Sequence, residues 1–118
     1  MYIQVKNDPS VPVKISRKLF KDMNFEPKKN PWFIQIVKDK KSNDIFLIKR
    51  KNVDTFVTQC TMVTPTGDRK NPAHFMWTIP SFDYFMAILN VNMTTGKIFK
   101  VRKVDIPKIG KAWKICAE

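Results

Sequence analysis

The sequence predicts a β-rich α+β fold, a small barrel built as one domain from two similar β-β-α-β-β halves, residues 1–51 and 52–118. Three observations lead there. The chain has 118 residues, 43% of them hydrophobic and 12% aromatic, which suffices for one shared core and is too short for two. Its apolar segments are mostly short and bounded by Pro, Asn, Asp and Ser, the residues of turns. The order strand, strand, short helix, strand, strand can be read twice, and neither half, at about 55 residues, would bury enough surface alone.

In the first half, Met1 to Lys6 reads as a strand, Asn7 to Ser10 as a turn, and Val11, Val13 and Ile15 alternate as a second strand. Ser16 is suited to accept from the free amides of a helix start. Leu19, Phe20 and Met23 then share a helical face, and Asn24 and Pro27 end a helix of about two turns. Trp32 to Val37 and Asp44 to Ile48 form a hairpin around the polar segment Lys38 to Asn43, and the charged run Lys49 to Asn52 links the halves. In the second half, Phe56 to Val63 and His74 to Ile79 are strands flanking a polar loop from Thr64 to Pro72. Pro80 and Ser81 open a helix carrying Phe82, Phe85, Met86 and Leu89, which ends in Asn90 to Gly96. Ile98 to Val104 and Ala112 to Cys116 close the chain as a strand pair around Asp105 to Gly110.

The segment Val13 to Phe25 resembles the AbrB/MazE type of swapped-hairpin DNA-binding domain, a cradle-loop barrel. Leu19 and Met23 fall at that family's apolar offsets, and Phe25 is the apolar residue that follows its turn. Asn24 stands where the family has Gly, Ser16 where Pro is usual, and Phe20 where Arg is frequent; Pro31 interrupts the entry to the third strand. The resemblance covers about residues 1–50; in the second half Ile79-Pro80 supplies the Pro, and the helix runs about two residues longer than the family pattern. It implies two fused copies of such a unit, or a related double-psi barrel. It also implies DNA contacts from Lys6, Lys14, Arg17 and Lys18, and in the second half from Arg69 and Lys70.

Charge points to the same class of partner. Twenty-two Lys and Arg against ten Asp and Glu leave a formal charge of +12, whose self-repulsion favours an anionic partner. Basic residues concentrate around the first helix (Lys14, Arg17, Lys18, Lys21), at the link (Lys49, Arg50, Lys51) and near the end (Lys97, Lys100, Arg102, Lys103, Lys108, Lys111). The expected nucleic-acid contacts are Lys6, Lys14, Arg17, Lys18, Lys21, Arg50, Arg69 and Lys70, neutralising phosphates, with DNA ahead of RNA. Trp32, Trp77, Trp113 and Phe99 are expected to pack in the core; exposed, they would instead form a stacking platform for single strands. Two other readings stand beside this one: a basic protein that modulates an acidic protein partner, and a metal-independent ribonuclease using His74 with Arg69 and Lys70. Asp44, Asp54, Asp68 and Asp83 show no paired spacing for a metal nuclease, and no phosphate-cradling Gly-rich loop occurs.

No catalytic residue, metal or cofactor is expected. Cys60 and Cys116 match no metal-ligand spacing and read as reduced thiols of a reducing, cytoplasmic compartment. No apolar run approaches the roughly 20 residues of a membrane span, and the first residues lack a signal peptide's apolar centre. The abundance of Lys, Asn and Ile fits an AT-rich genome such as a phage's.

Overall fold

A computed structural model of the chain describes residues 1–6, 13–25, 32–50, 60–76, 79–89 and 97–116. Eight strands form a closed antiparallel barrel with two helices. In chain order these are β1 (Tyr2–Val5), β2 (Val13–Ile15), α1 (Arg17–Met23), β3 (Trp32–Lys38), β4 (Ile45–Arg50), β5 (Cys60–Pro65), β6 (Ala73–Met76), α2 (Ile79–Leu89), β7 (Lys97–Ile106) and β8 (Gly110–Cys116). Around the ring the strands run β1-β2-β6-β5-β3-β4-β8-β7, and β7 pairs back to β1.

The period-two pattern determines what fills the barrel. Ile3 lies opposite both Ile15 and Phe99, Trp32 opposite Val63, Val63 opposite Phe75, Ile36 opposite Leu47, and Leu47 opposite Trp113. All of these side chains are buried in one cluster. Because successive side chains alternate across a strand, each inward apolar residue leaves its neighbours facing out. Closure gives every strand a neighbour on both sides over part of its length.

Helix α1 crosses one mouth of the barrel. Ser16 caps it: its Oγ accepts from the Leu19 amide at 3.4 Å and from the Tyr2 amide at 3.0 Å, tying the helix start to β1. Leu19 and Met23, one turn apart, are buried, while Arg17, Lys18 and Lys21 are exposed. Asn24 ends the helix in the left-handed conformation, φ 54°, which Asn tolerates better than most residues. Lys49 Nζ of β4, across the ring from β2, donates to the Met23 carbonyl at 2.8 Å and the Asn24 carbonyl at 3.1 Å. It thereby satisfies free carbonyls at the negative end of the helix. Asp22 accepts from the indole N–H of buried Trp113 at 2.8 Å and pairs with Lys103 at 3.7 Å, joining α1 to β8 and β7.

Since β2 and β6 run antiparallel and each precedes a helix, the helices lie at opposite ends of the barrel. At the far end, Phe85 of α2 packs edge-on against Phe75, ring centroids 6.0 Å apart. The β5–β6 loop and the β7–β8 turn both lie at the α1 end, as the antiparallel pairings require.

Several element limits differ from the sequence reading. Lys49 and Arg50 belong to β4 and are not a linker, because the helix end absorbs the lysine's charge. Strand β5 continues through Thr64 and Pro65, which pair with His74 and Ala73. Ile79 begins α2 and does not end β6. Strands β7 and β8 extend through Ile106 and from Gly110, narrowing the expected Asp105–Gly110 turn to residues 107–109. The expected turn at Asn7–Ser10, Val11, Pro27, Pro31, the link residues Lys51 and Asn52, the strand start at Phe56, Trp77, and the Asn90–Gly96 segment lie outside the described residues.

Candidate nucleic-acid interface

Two open clefts, each of about 510 Å³, adjoin at the α1 end. Met1, Tyr2, Ser16, Arg17, Lys18, Arg69 and Lys70 line the first. The second takes Arg17 and Arg69 again, with Phe20, Lys21 and Pro72. Five of the eight expected contacts, Arg17, Lys18, Lys21, Arg69 and Lys70, thus meet in one place, with Arg17 and Arg69 shared by both clefts. Arg17 and Lys21 are one helical turn apart and project together.

The opposing wall is a self-bonded loop. Thr66 N–H donates to the Pro72 carbonyl at 3.0 Å, and the Thr66 hydroxyl donates to the Asn71 carbonyl. Asp68 Oδ1 accepts from the Lys70 amide at 2.9 Å, and this bond holds the Asp68 carboxyl below its usual range. Gly67, at φ +82°, supplies the left-handed position this loop needs. The loop therefore presents Arg69 and Lys70, both exposed, from a braced backbone. Ion pairs between described residues join Lys103 to Asp22 and Lys114 to Asp44, and none engages the five cations of the cleft.

The other expected contacts lie elsewhere. Lys14 sits beside the cleft in a smaller pocket of about 280 Å³ with Thr66, Asp68, Asn71 and His74. Lys6 follows β1 at the opposite end of the barrel. Arg50 is on the far wall, where its Nε donates to Gln35 Oε1 at 2.8 Å. Two basic residues outside the expected set, Lys100 and Arg102, line a neighbouring cleft of about 500 Å³ that shares Met1 and Tyr2 with the first. Their i, i+2 spacing on β7 was the available signal for a common outward face. Nothing in the sequence marked Tyr2 or Phe20 as cleft residues. Phe20 packs against Phe25 and Trp32, with centroids 5.8 and 5.6 Å away. Trp32, Trp113 and Phe99 are buried, so these rings present no face to a nucleobase.

His74 pairs with Lys14 across β2 and β6. Its Nε2 lies 3.2 Å from Thr64 Oγ1, and its buried Nδ1 has no hydrogen-bond partner among the described residues. Burial first, and then the Lys14 charge, lower its pKa from the ordinary 6.5. In the window below 6.5 the unfolded chain binds the proton and the folded chain resists it. The stability present above the unfolded pKa is therefore lost as pH falls toward the folded value. Urea midpoints are expected to drop between about pH 7.5 and pH 5, and to drop less in His74→Gln; equal drops would show that other groups carry the effect. Cys60 is buried, which raises its thiol pKa, and both Cys60 and Cys116 are free. Among the described residues no group of His, Cys, Asp and Glu is placed to hold a metal ion, and no helix is long and apolar enough to cross a membrane. No protein-family model, curated protein or solved structure matches this chain.

Proposed function

We propose that the protein binds double-stranded DNA through phosphate contacts made by the cleft between α1 and the β5–β6 loop. One observation carries the reading: Arg17, Lys18, Lys21, Arg69 and Lys70, from segments about 50 residues apart, converge unneutralised by any described carboxylate. Gathering five cations costs self-repulsion that a polyanion removes, with release of its counterions. The burial of Trp32, Trp113 and Phe99 favours duplex over unpaired bases, which would need exposed rings. The free thiols suit a reducing, cytoplasmic setting.

The same proposal includes the internal repeat. Exchanging β1–β4 for β5–β8 leaves the list of strand neighbours unchanged, and each helix follows the second strand of its half. Two fused copies of one unit, like the swapped-hairpin domain that residues 1–50 resemble, account for this pattern. The copies have diverged where function resides, since α2 contains no Lys or Arg. One DNA site per chain follows, at the α1 end.

Fluorescence anisotropy against duplex DNA across a salt series tests the proposal. Five phosphate contacts predict a log–log slope of about −4.5, or about 500-fold weaker binding between 50 and 200 mM salt. A flat salt dependence, or no binding to the duplex, overturns it; binding to an acidic protein alone would redirect the cleft to that partner.

A further inference from the structure

At the β7–β8 hairpin both strands lose their outer neighbours before the turn. β1 bonds to β7 as far as Val101, whose amide donates to the Met1 carbonyl at 2.9 Å, and β4 pairs with β8 only over Trp113–Ile115. Beyond these limits β7 and β8 pair only with each other among the described residues: Val104 with Ala112, Asp105 with Lys111, Ile106 with Gly110. A two-stranded ribbon therefore leaves the barrel wall at its α1 end. These three residue pairs, at about 3.3 Å per residue, give the ribbon a length of roughly 10 Å beyond its last paired neighbour, while β4 continues through Arg50 at the same end.

Its base is anchored. Ala112 is buried, and Lys103 and Trp113 both hold Asp22 of α1. The turn is fixed by the Ile109 amide donating to the Ile106 carbonyl at 3.1 Å, with Lys108 and Gly110 in the left-handed region at φ 70° and 95°. The tip combines an apolar side chain with two cations. Ile109 is 49% exposed, one of two large apolar side chains described as such. Lys108 and Lys111 are exposed on either side of it.

We infer that this ribbon enters the major groove of the DNA whose phosphates the Arg17/Arg69 cleft holds, with Lys108 and Lys111 meeting the groove walls and Ile109 the base edges. The inference rests on the proposed DNA reading and adds the element that reaches the bases. A B-form major groove, about 12 Å wide and 8.5 Å deep, admits a two-stranded ribbon, and the roughly 10 Å length of the self-paired segment is comparable to that depth. The ribbon and the cleft flank α1, whose diameter with side chains is about 10–12 Å; that is close to one groove width, so a ribbon in the groove leaves the cleft at a phosphate rim. The charge is complementary, and an exposed isoleucine can contact a thymine methyl. The major groove of A-form RNA is too narrow and deep for side-chain reading. The ribbon thus selects duplex DNA over duplex RNA, which phosphate contacts alone would not.

The test compares duplex DNA with duplex RNA of the same sequence for the intact chain and for Lys108→Ala/Ile109→Ser, with thermal unfolding as a check that both are folded. The variant is expected to bind DNA about tenfold more weakly and to lose the preference for DNA over RNA. Benzoylphenylalanine placed at position 109 is expected to photocrosslink to bases in the DNA. Equal binding of DNA and RNA by the intact chain, or an unchanged DNA preference in the variant without crosslinking at 109, overturns the ribbon's role while leaving the phosphate cleft standing. Failure of the intact chain to bind either duplex overturns the DNA reading itself, and the ribbon's role with it.

Discussion

Replacing both Arg17 and Arg69 with alanine is expected to weaken duplex DNA binding about 100-fold at moderate salt and to reduce the salt slope by about 1.8. Both residues line both clefts, so a backbone lying in either meets both. A charge-assisted hydrogen bond is worth about 1.5 kcal/mol or more, and two give about 3 kcal/mol. Both residues are exposed, so the double variant should keep its urea midpoint within about 0.5 kcal/mol of the parent. Arg17→Lys/Arg69→Lys separates charge from geometry: it should restore the slope and only part of the affinity, because an ammonium cannot make the two-pronged contact of a guanidinium. A loss below about threefold in the double alanine variant would remove the cleft from the binding surface.

Phe75→Ala is expected to cost about 3–5 kcal/mol of folding stability. Phe75 is fully buried on β6, opposite Val63, and its ring meets Phe85 of α2 edge-on. Truncation removes both the buried area and the ring contact that holds α2 over its end of the barrel. Against a total of about 5–15 kcal/mol for a domain this size, the loss should move the urea midpoint substantially or leave the chain partly unfolded. A midpoint shift equivalent to less than about 1 kcal/mol would mean that α2 does not close the core. Where the variant is folded, DNA affinity should be nearly unchanged, since Phe75 points into the core and lines neither cleft.

Much of the fold could be read locally. Hairpins showed in Val13 and Ile15 alternating around Lys14, and in the apolar runs at Trp32 and Ile45, because a side chain's face depends on its parity along the strand. The first helix was marked by Ser16 and Asn24, since capping involves neighbouring backbone groups. The misreadings have one physical source. Lys49 and Arg50 read as a charged link because a lysine within a strand end makes sense only once a helix terminus from 26 residues away lies over it. The Asp105–Gly110 segment read as all turn because Asp, Pro and Gly favour turns, whereas strand pairing with β8 decided where the turn began.

The candidate site divides along the same line. The sequence by itself determined the excess of cations, the exposed face carrying Arg17, Lys18 and Lys21, and the basic loop carrying Arg69 and Lys70, all consequences of composition and short-range periodicity. Lys6 carried the same local signal, and only the tertiary structure placed it at the opposite end of the barrel. Ring order brought the β5–β6 loop beside α1, put Arg50 on the far wall, and left the ends of β7 and β8 paired only with each other. Such arrangements depend on which strands pair across long stretches of chain, and that is set by the closure of one shared core rather than by any segment's own pattern.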